Sequence, residues 1–560
     1  METKKFMTID GIPVAIEGEK NLLSLIQKIG VKMPTFCYHS ELSTYGACRM
    51  CMVEDEKGGL HAACSTPPRE GMKIRTNTER LRKYRKVILE LLLSNHCRDC
   101  TTCQNNTKCK LQDLAMRFNI ENVRFVNTKP VPDVDDSSPC ITIDRSKCIL
   151  CGDCVRTCSE IQSVGAIDFM KRGSKMYVGT ASGIPIRDSQ CVGCGQCSAV
   201  CPTGAIVVKN DVKDVWKCLD DVNTKVTIQI APAVRVGIGK ELGITDGENV
   251  MGLIVAALRR MGFEEIYDTS TGADLTVMEE SEELYKHIES KSPMPLFSSC
   301  CPAWVKFCEK KHPELLPYVS TCKSPMQMFA SVMAEYNKNC DRKTVHVALM
   351  PCTAKKSEAS RNEFANENGR NVDYVLTTQE FIQMAKEAGI IFSELQPEAV
   401  DMPFGTMAGA GIIFGTSGGV SEAVLRRLSD DKSGTGLLNI AYTGVRDKGG
   451  IKEADFSLNG RLLHLAMVSG LSNAEKIIDR IEGGEHFDFV EVMACPGGCV
   501  SGAGQPFASE KVKEDRALGL YKADKMSSIK RSEDNPLIKT LYSTLLNGKV
   551  HELLHVSYLK

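Results

Sequence analysis

The sequence predicts a large α/β domain preceded by small, cysteine-rich α+β modules, and three observations carry that reading. First, 17 of the 26 cysteines lie before residue 202, most of them in short C-x2-C runs. Second, beyond residue 210 apolar strand-like runs (VTIQIAP, VHVALMP, GIIFG, FVEVMAC) alternate with helical patterns such as GENVMGLIVAALRRMG, the alternation of a layered fold around a buried sheet. Third, 560 residues with 42% hydrophobic and 25% charged side chains have a globular composition, with room for three or four domains at roughly 100 to 200 residues each.

Cysteine usage also bounds the compartment. Disulfide scaffolds are usually small and secreted, whereas the first twenty residues, METKKFMTIDGIPVAIEGEK, show neither the apolar core nor the A-x-A site of a signal peptide. No stretch approaches the roughly 18 apolar residues of a spanning helix. The expected setting is a reducing cytoplasm in which clustered thiolates hold metal. A formal charge of -1 gives no case for a nucleic-acid or membrane partner.

Taken in order, alternation around Asp10-Gly11 predicts a type I′ hairpin, and helical spacing follows from Asn21 to Ile29. Cys37, Cys48, Cys51 and Cys64 then stand at C-x10-C-x2-C-x12-C spacing. A long first gap with a single tight pair suits a loop folded around a flat 2Fe-2S rhomb better than a zinc knuckle. This module is expected over residues 1–78. From Arg69 to Lys86 eight basic residues stand against two acidic ones. A solvated helix face is the simpler explanation, and a docking surface for an acidic electron carrier the sharper one, because opposite charges steer encounter. The helical run ends at His96, Cys100, Cys103 and Cys109, one imidazole at ligand spacing from three thiolates, a set that holds either zinc or a 4Fe-4S cube. Cys97 is expected to be a spectator in this second module, residues 79–125.

The strongest signal of the first half is a repeat. Cys148, Cys151, Cys154 and Cys158 recur 43 residues later as Cys191, Cys194, Cys197 and Cys201, each run spaced C-x2-C-x2-C-x3-C. In two-cluster ferredoxins the fourth cysteine of each run ligates the other cluster. The expected cubes are therefore Cys148, Cys151, Cys154 with Cys201, and Cys191, Cys194, Cys197 with Cys158, in a module over residues 126–209. Pro202 follows the second run as the motif expects; Ser159 replaces proline after the first. One-electron centres in series make a wire, and residues 210–560 should supply its catalytic end.

In that half, three strand ends run into cysteine motifs: Phe297-Ser298-Ser299-Cys300-Cys301-Pro302-Ala303-Trp304, Met350-Pro351-Cys352-Thr353-Ala354-Lys355, and Met493-Ala494-Cys495-Pro496-Gly497-Gly498-Cys499. Loops at strand ends are where rigid scaffolds commonly place catalytic groups. These segments resemble the signature loops of the iron-only (FeFe) hydrogenases, and the amino-terminal motifs resemble the accessory region of their large monomeric clostridial type. The resemblance spans the chain. It implies an α/β catalytic domain (the H-cluster domain) preceded by small α+β ferredoxin-like iron-sulfur modules. It also implies one 2Fe-2S cluster, three accessory 4Fe-4S clusters and an H-cluster. In the last, Cys301, Cys352, Cys495 and Cys499 hold a 4Fe-4S cube, and Cys499 bridges to a di-iron unit carrying carbon monoxide, cyanide and azadithiolate. The activity implied is reversible reduction of protons to dihydrogen with electrons from ferredoxin or flavodoxin, and maturation proteins must supply the di-iron unit.

Splitting dihydrogen also needs a base and a proton exit. Cys300 adjoins a ligand yet is surplus to the cube, and a thiol of pKa about 8.5 exchanges protons near neutrality. The resemblance implies a relay from Cys300 through Glu280, Ser320 and Glu283. Glu280 and Glu283 stand at i, i+3 on an amphipathic helical pattern, and His287 stands where the family has an arginine. Lys355 matches the family's cyanide partner, and Pro232, Met350 and Met493 match residues packed around the di-iron unit. Ser298, Met326, Ala354 and Ala408 replace commoner threonine, glutamine, serine and serine, and are expected to change polarity near the cofactor and shift its catalytic bias.

Two motifs are set aside. His551-Glu552-Leu553-Leu554-His555 fits the zinc-binding H-E-x-x-H pattern, but only five residues follow it, so packing is expected. The glycine-rich stretches Gly237 to Gly243 and Gly409 to Gly415 miss G-x-G-x-x-G spacing, and no dinucleotide site is expected. Rival readings are a catalytic subunit of an electron-bifurcating complex, a sensory hydrogenase, and the hydrogenase-like iron-sulfur assembly proteins. Intact Cys300, Lys355 and Cys499 oppose the last.

Overall fold

The computed structural model describes residues 5–126, 133–366 and 369–559; the expected start of the first module at residues 1–4 and the segment 127–132 lie outside the described residues. Strands Lys5–Ile9 and Ile12–Ile16 form the expected antiparallel hairpin. Asp10 and Gly11 both take positive φ, 52° and 85°, as a type I′ turn requires. The hairpin joins a five-stranded sheet. Helix Leu22–Lys28 buries Leu22, Leu23, Leu25 and Ile26, and the Asn21 side chain caps it by accepting the Ser24 N–H at 3.0 Å.

The basic stretch divides between two uses. Arg80, Arg82, Lys83 and Lys86 of helix Glu79–Ser94 face solvent. Arg85 is buried and donates to the carbonyls of Met50, Met52 and Thr76 at 3.2, 2.7 and 3.0 Å, fastening the helix to the loop that carries Cys48 and Cys51. In the repeat module, strands Ile141–Ile143 and Ile206–Val208 pair antiparallel. Its two short helices, Asp153–Arg156 and Gln196–Ala199, are each opened by a left-handed glycine, Gly152 and Gly195. A Cβ at Gly195 would lie 2.3 Å from Oγ1 of Thr353, so this glycine lets the module seat on the catalytic domain.

Among the described residues, the carboxy-terminal half holds two four-stranded sheets. In one, Thr224–Ile230, Glu265–Asp268, Lys343–Met350 and Tyr374–Thr377 are all parallel. In the other, Leu296–Phe297, Phe489–Met493 and Arg461–Ser469 are parallel, and Ile451–Leu458 closes the edge as a hairpin partner. Helix Ser270–Ser290 packs against helices Pro325–Tyr336, Gly409–Ile412 and Gly419–Leu428. One expected strand is corrected: GIIFG, residues 411–415, is helical, within Gly409–Ile412 and Ile413–Gly415. Its glycines allow close approach that a side chain would block, since a Cβ on Gly411 would lie 2.5 Å from the Ser270 carbonyl.

Candidate active site

Four parallel strands, two from each sheet, end at one place. Beyond Ile230 come Ala231 and Pro232; beyond Phe297, Cys300 and Cys301; beyond Met350, Pro351 and Cys352; beyond Met493, Ala494 and Cys495. These residues and Cys499 line a cavity, together with Met326, Phe414, Lys355 and the two methionines Met350 and Met493. Binding outside the carboxyl ends of parallel strands is the general rule for such sheets.

The cavity's chemistry is specific. Burial, with Cys301 as a close neighbour, pushes the Cys352 thiol up to about 11, and burial likewise raises Cys495 and Cys499. Buried thiols of this kind become thiolates when a metal takes the proton's place. Four thiols from three loops, soft apolar walls and one ammonium group fit an iron-sulfur cube with a second metal unit beside it. Cys301 Sγ accepts the Ala494 N–H at 3.5 Å, and Cys495 Sγ accepts from Gln196 at 3.1 Å. Lys355 Nζ is 2.8 Å from Glu358 and 3.4 Å from the Cys300 carbonyl. Burial opposes its charge, but Glu358 outweighs that and raises its pKa.

Of the four departures, Met326 lines the cavity. Ser298 lies behind it, accepting the Val492 N–H at 3.3 Å. Ala354 begins helix Ala354–Ala359, and the Ala408 N–H donates to Asp274 at 2.9 Å.

The residues expected to relay protons lie together on one side. Glu280, from the middle of helix Ser270–Ser290, is 0% exposed, and neither carboxyl oxygen has a hydrogen-bond partner. Burial first, then the nearby charges of Glu283 and Glu491, pushes it up to about 8. Its charge acts on Cys300, whose thiol burial raises well above the ordinary value. The Ser320 hydroxyl donates to Glu283 Oε2 at 2.6 Å. Glu283 is partly exposed, and although burial works against its charge, His555, Ser320 and Thr321 hold its pKa down.

His555, and not His287, faces Glu283. His287 Nε2 bonds the Met294 carbonyl at 2.7 Å and does not extend the route. His555, expected only to pack, sets Nε2 3.0 Å from Glu279 and Nδ1 3.4 Å from Glu283. Burial opposes its charge, but the two carboxylates raise it to about 9. Glu279, Thr321 and Gln196 were also missed. The H-E-x-x-H match was a signal for His555, read for the wrong reason: His551 is exposed and only His555 turns inward.

The accessory thiols gather in sets. Cys37 Sγ accepts the Cys48 N–H at 3.3 Å, and Cys51 and Cys64 act on one another in the same loop cluster. Nδ1 of His96 is buried without a partner, while Cys109 feels the charges of Cys100 and Cys103; an orphaned imidazole nitrogen in the segment that carries three grouped thiols fits a metal. Cys148, Cys151, Cys154 and Cys201 surround one cavity of about 430 Å³. Cys191, Cys194, Cys197 and Cys158 act on one another in a second group, and Cys194 in turn feels Cys352 and acts on Cys495.

Fold and site together define an iron-sulfur oxidoreductase in which small cluster-binding modules feed a buried thiol-lined cavity. Family models match in the same order: a 2Fe-2S iron-sulfur cluster binding domain over residues 6–79, the NADH-ubiquinone oxidoreductase-G iron-sulfur binding region over 85–124 and a 4Fe-4S dicluster domain over 147–205. The iron-only hydrogenase large subunit, C-terminal domain, follows over 224–503, and the iron hydrogenase small subunit over 510–560. The chain is 35% identical to iron hydrogenase 1 of Clostridium pasteurianum, covering 99% of this chain and 100% of that one. It is 37% identical to the NADP-reducing hydrogenase subunit HndD of Solidesulfovibrio fructosivorans, covering 99% and 98%. A solved FeFe-hydrogenase from Chlamydomonas reinhardtii matches at 36% identity and a TM-score of 0.53, over 62% of this chain and 99% of that one. The chain belongs to the iron-only hydrogenase family: an oxidoreductase that acts on dihydrogen and protons and exchanges electrons with a carrier through iron-sulfur clusters.

Proposed function

We propose that the chain reduces protons reversibly to dihydrogen in the cavity of Cys301, Cys352, Cys495 and Cys499, with electrons from ferredoxin or flavodoxin. They would pass through one 2Fe-2S and three 4Fe-4S clusters in modules over residues 1–78, 79–125 and 126–209, the catalytic domain being residues 210–560. The observation that carries this reading is the abutment of Cys194 and Gln196 on Cys352 and Cys495, which brings the last accessory set against the catalytic one. The order of accessory ligands runs Cys37, Cys48, Cys51, Cys64; His96, Cys100, Cys103, Cys109; Cys148, Cys151, Cys154, Cys201; and Cys191, Cys194, Cys197, Cys158.

When bound, the H-cluster supplies the metal chemistry that makes and cleaves the H–H bond. The chain's own residues do the rest. The thiolates of Cys301, Cys352, Cys495 and Cys499 would hold the cluster, and Lys355 would present a cation to its cyanide ligand. Pro232, Met350 and Met493 pack the walls and exclude water, which strengthens every charge interaction inside. Cys300 holds a proton at the wall, Glu280 passes it outward, the Ser320 hydroxyl bridges, and Glu283 hands it to solvent. Glu280 suits that place because a group held near 8 both takes and releases protons around neutral pH.

Among the described residues no helix is long and apolar enough to cross a membrane, and the wealth of unpaired thiols supports a reducing cytoplasm. Maturation proteins would provide the di-iron unit. Rates with reduced ferredoxin, reduced flavodoxin and NADPH as electron donors test the partner: the first two should sustain dihydrogen evolution without further subunits. The likeness to a relative named as a subunit gives a second reading, in which this chain takes electrons from a flavin-containing partner. Its co-purification, with no turnover from ferredoxin alone, would favour that.

A further inference from the structure

We infer that Glu283, Cys322 and His555 form a site for a divalent cation of the zinc class at the outer end of the acid pair. Each offers one ligand atom, and the three atoms lie within 4.8 Å of one another. Carboxylate, thiolate and imidazole are together a zinc-type donor set. Nδ1 of His555 is 3.4 Å from Oε1 of Glu283, and two oxygen or nitrogen ligands of a tetrahedral zinc with bonds of about 2.0 to 2.1 Å stand about 3.3 Å apart.

The surroundings are those of a metal-bound histidine. A ligating imidazole characteristically gives its other ring N–H to a carboxylate, which fixes the tautomer. Here Nε2 of His555 lies 3.0 Å from Oε2 of Glu279, and the Tyr542 hydroxyl holds the other Glu279 oxygen. The Ser320 hydroxyl engages Oε2 of Glu283 at 2.6 Å, leaving Oε1 toward the ring. The Thr321 hydroxyl bridges Nδ1 and Oε1; a rotation of that side chain frees Nδ1 and leaves Oε1 with only the Thr321 N–H at 3.3 Å, so a lone pair of Oε1 stays open to a cation.

The backbone presets the ligands. Cys322 and His555 are paired in an antiparallel bridge, locked by Val556 N–H to the Thr321 carbonyl at 2.7 Å and Lys323 N–H to the Leu554 carbonyl at 2.8 Å. The neighbouring cation, Lys323, is tied to the Glu552 and Leu553 carbonyls at 3.0 Å and does not point at the site. Glu283 and His555 keep 20% and 10% of their side-chain surface exposed, so a cation reaches them from solvent. Binding releases the Cys322 thiol proton and any proton on Nδ1 to solvent. The cation then occupies Glu283, the outermost relay group of the proposed route, and closes it; that consequence, unlike the site itself, rests on the relay reading.

Zinc chloride titrated into the purified, matured holoenzyme tests both. X-ray absorption at the zinc edge should report one zinc with a single sulfur among nitrogen and oxygen ligands. His555→Gln and Cys322→Ser should each weaken binding about tenfold or more, and Glu279→Gln about 10- to 100-fold. Zinc without a sulfur ligand, or with an affinity indifferent to both ligand substitutions, overturns the site. Dihydrogen evolution in the same titration separates the two claims. Turnover that falls with occupancy in the wild type, and ignores zinc in His555→Gln, supports closure of the route. Full turnover at full occupancy overturns Glu283 as the exit while the site stands.

Discussion

Gln196 directs its side-chain amide at the sulfur of Cys495, 3.1 Å away. One residue lies between two cluster thiols of the accessory module, the other in the catalytic cavity, so a single hydrogen bond couples the end of the electron route to the place where electrons are used. Hydrogen bonds to cluster sulfurs stabilise the reduced, more negative state and raise the potential. Gln196→Leu should lower the catalytic cube's potential by about 20 to 60 mV, the equivalent of one ordinary hydrogen bond for a one-electron couple. A spectroscopic redox titration measures it, and an unchanged potential would mean the contact does not tune the cube.

The two cysteine runs of the repeat module are expected to exchange their fourth ligands. Cys201 closes the cavity of Cys148, Cys151 and Cys154, although it ends the other run. Cys201→Ala should therefore remove the cluster of the first run and spare that of the second, and Cys158→Ala should do the reverse. Iron content and the electron paramagnetic resonance of each variant check it; loss of the cluster from the same run would refute the crossing.

Glu280 yields a pH expectation. Its carboxyl is raised from 4.5 to about 8, chiefly by burial. Between those values the folded chain binds one more proton here than the unfolded chain, so this group's contribution to stability falls as pH rises through that window and levels off above about 8. The protonated-carboxyl infrared band should fade as pH rises through about 8, and Glu280→Gln should abolish it. The same substitution should cut turnover by about 10²- to 10⁴-fold, the range of a lost proton-transfer group, while the cofactor's infrared bands stay in place.

Met326 is the one departure that lines the cavity. Met326→Gln places an amide donor there, which should stabilise added negative charge, raise the cofactor's potential and move the bias toward dihydrogen uptake. Comparing uptake and evolution rates in wild type and variant decides it; an unchanged ratio would remove this position from the account of bias.

What was legible in the sequence follows from distance along the chain. The cysteine runs and the Asp10-Gly11 turn are local patterns whose spacing encodes their geometry. The role of Met493 or Lys355 came through resemblance, since a methionine or lysine carries no spacing of its own. His555 stayed hidden because its partners Glu279 and Thr321 are 276 and 234 residues away. GIIFG looked like a strand because apolar runs do not reveal that their glycines serve close helix packing, and Arg85 was lost among seven other basic residues because only tertiary structure buries it.

On the proposed function, the thiol-lined cavity holds a di-iron unit with carbonyl and cyanide ligands and forms dihydrogen there. Infrared spectroscopy of the holoenzyme, produced with the maturation proteins, tests it most directly. Metal-carbonyl and metal-cyanide bands should appear, shift under dihydrogen and vanish in Cys499→Ala. An iron-loaded protein with all its accessory clusters and none of those bands would contradict it.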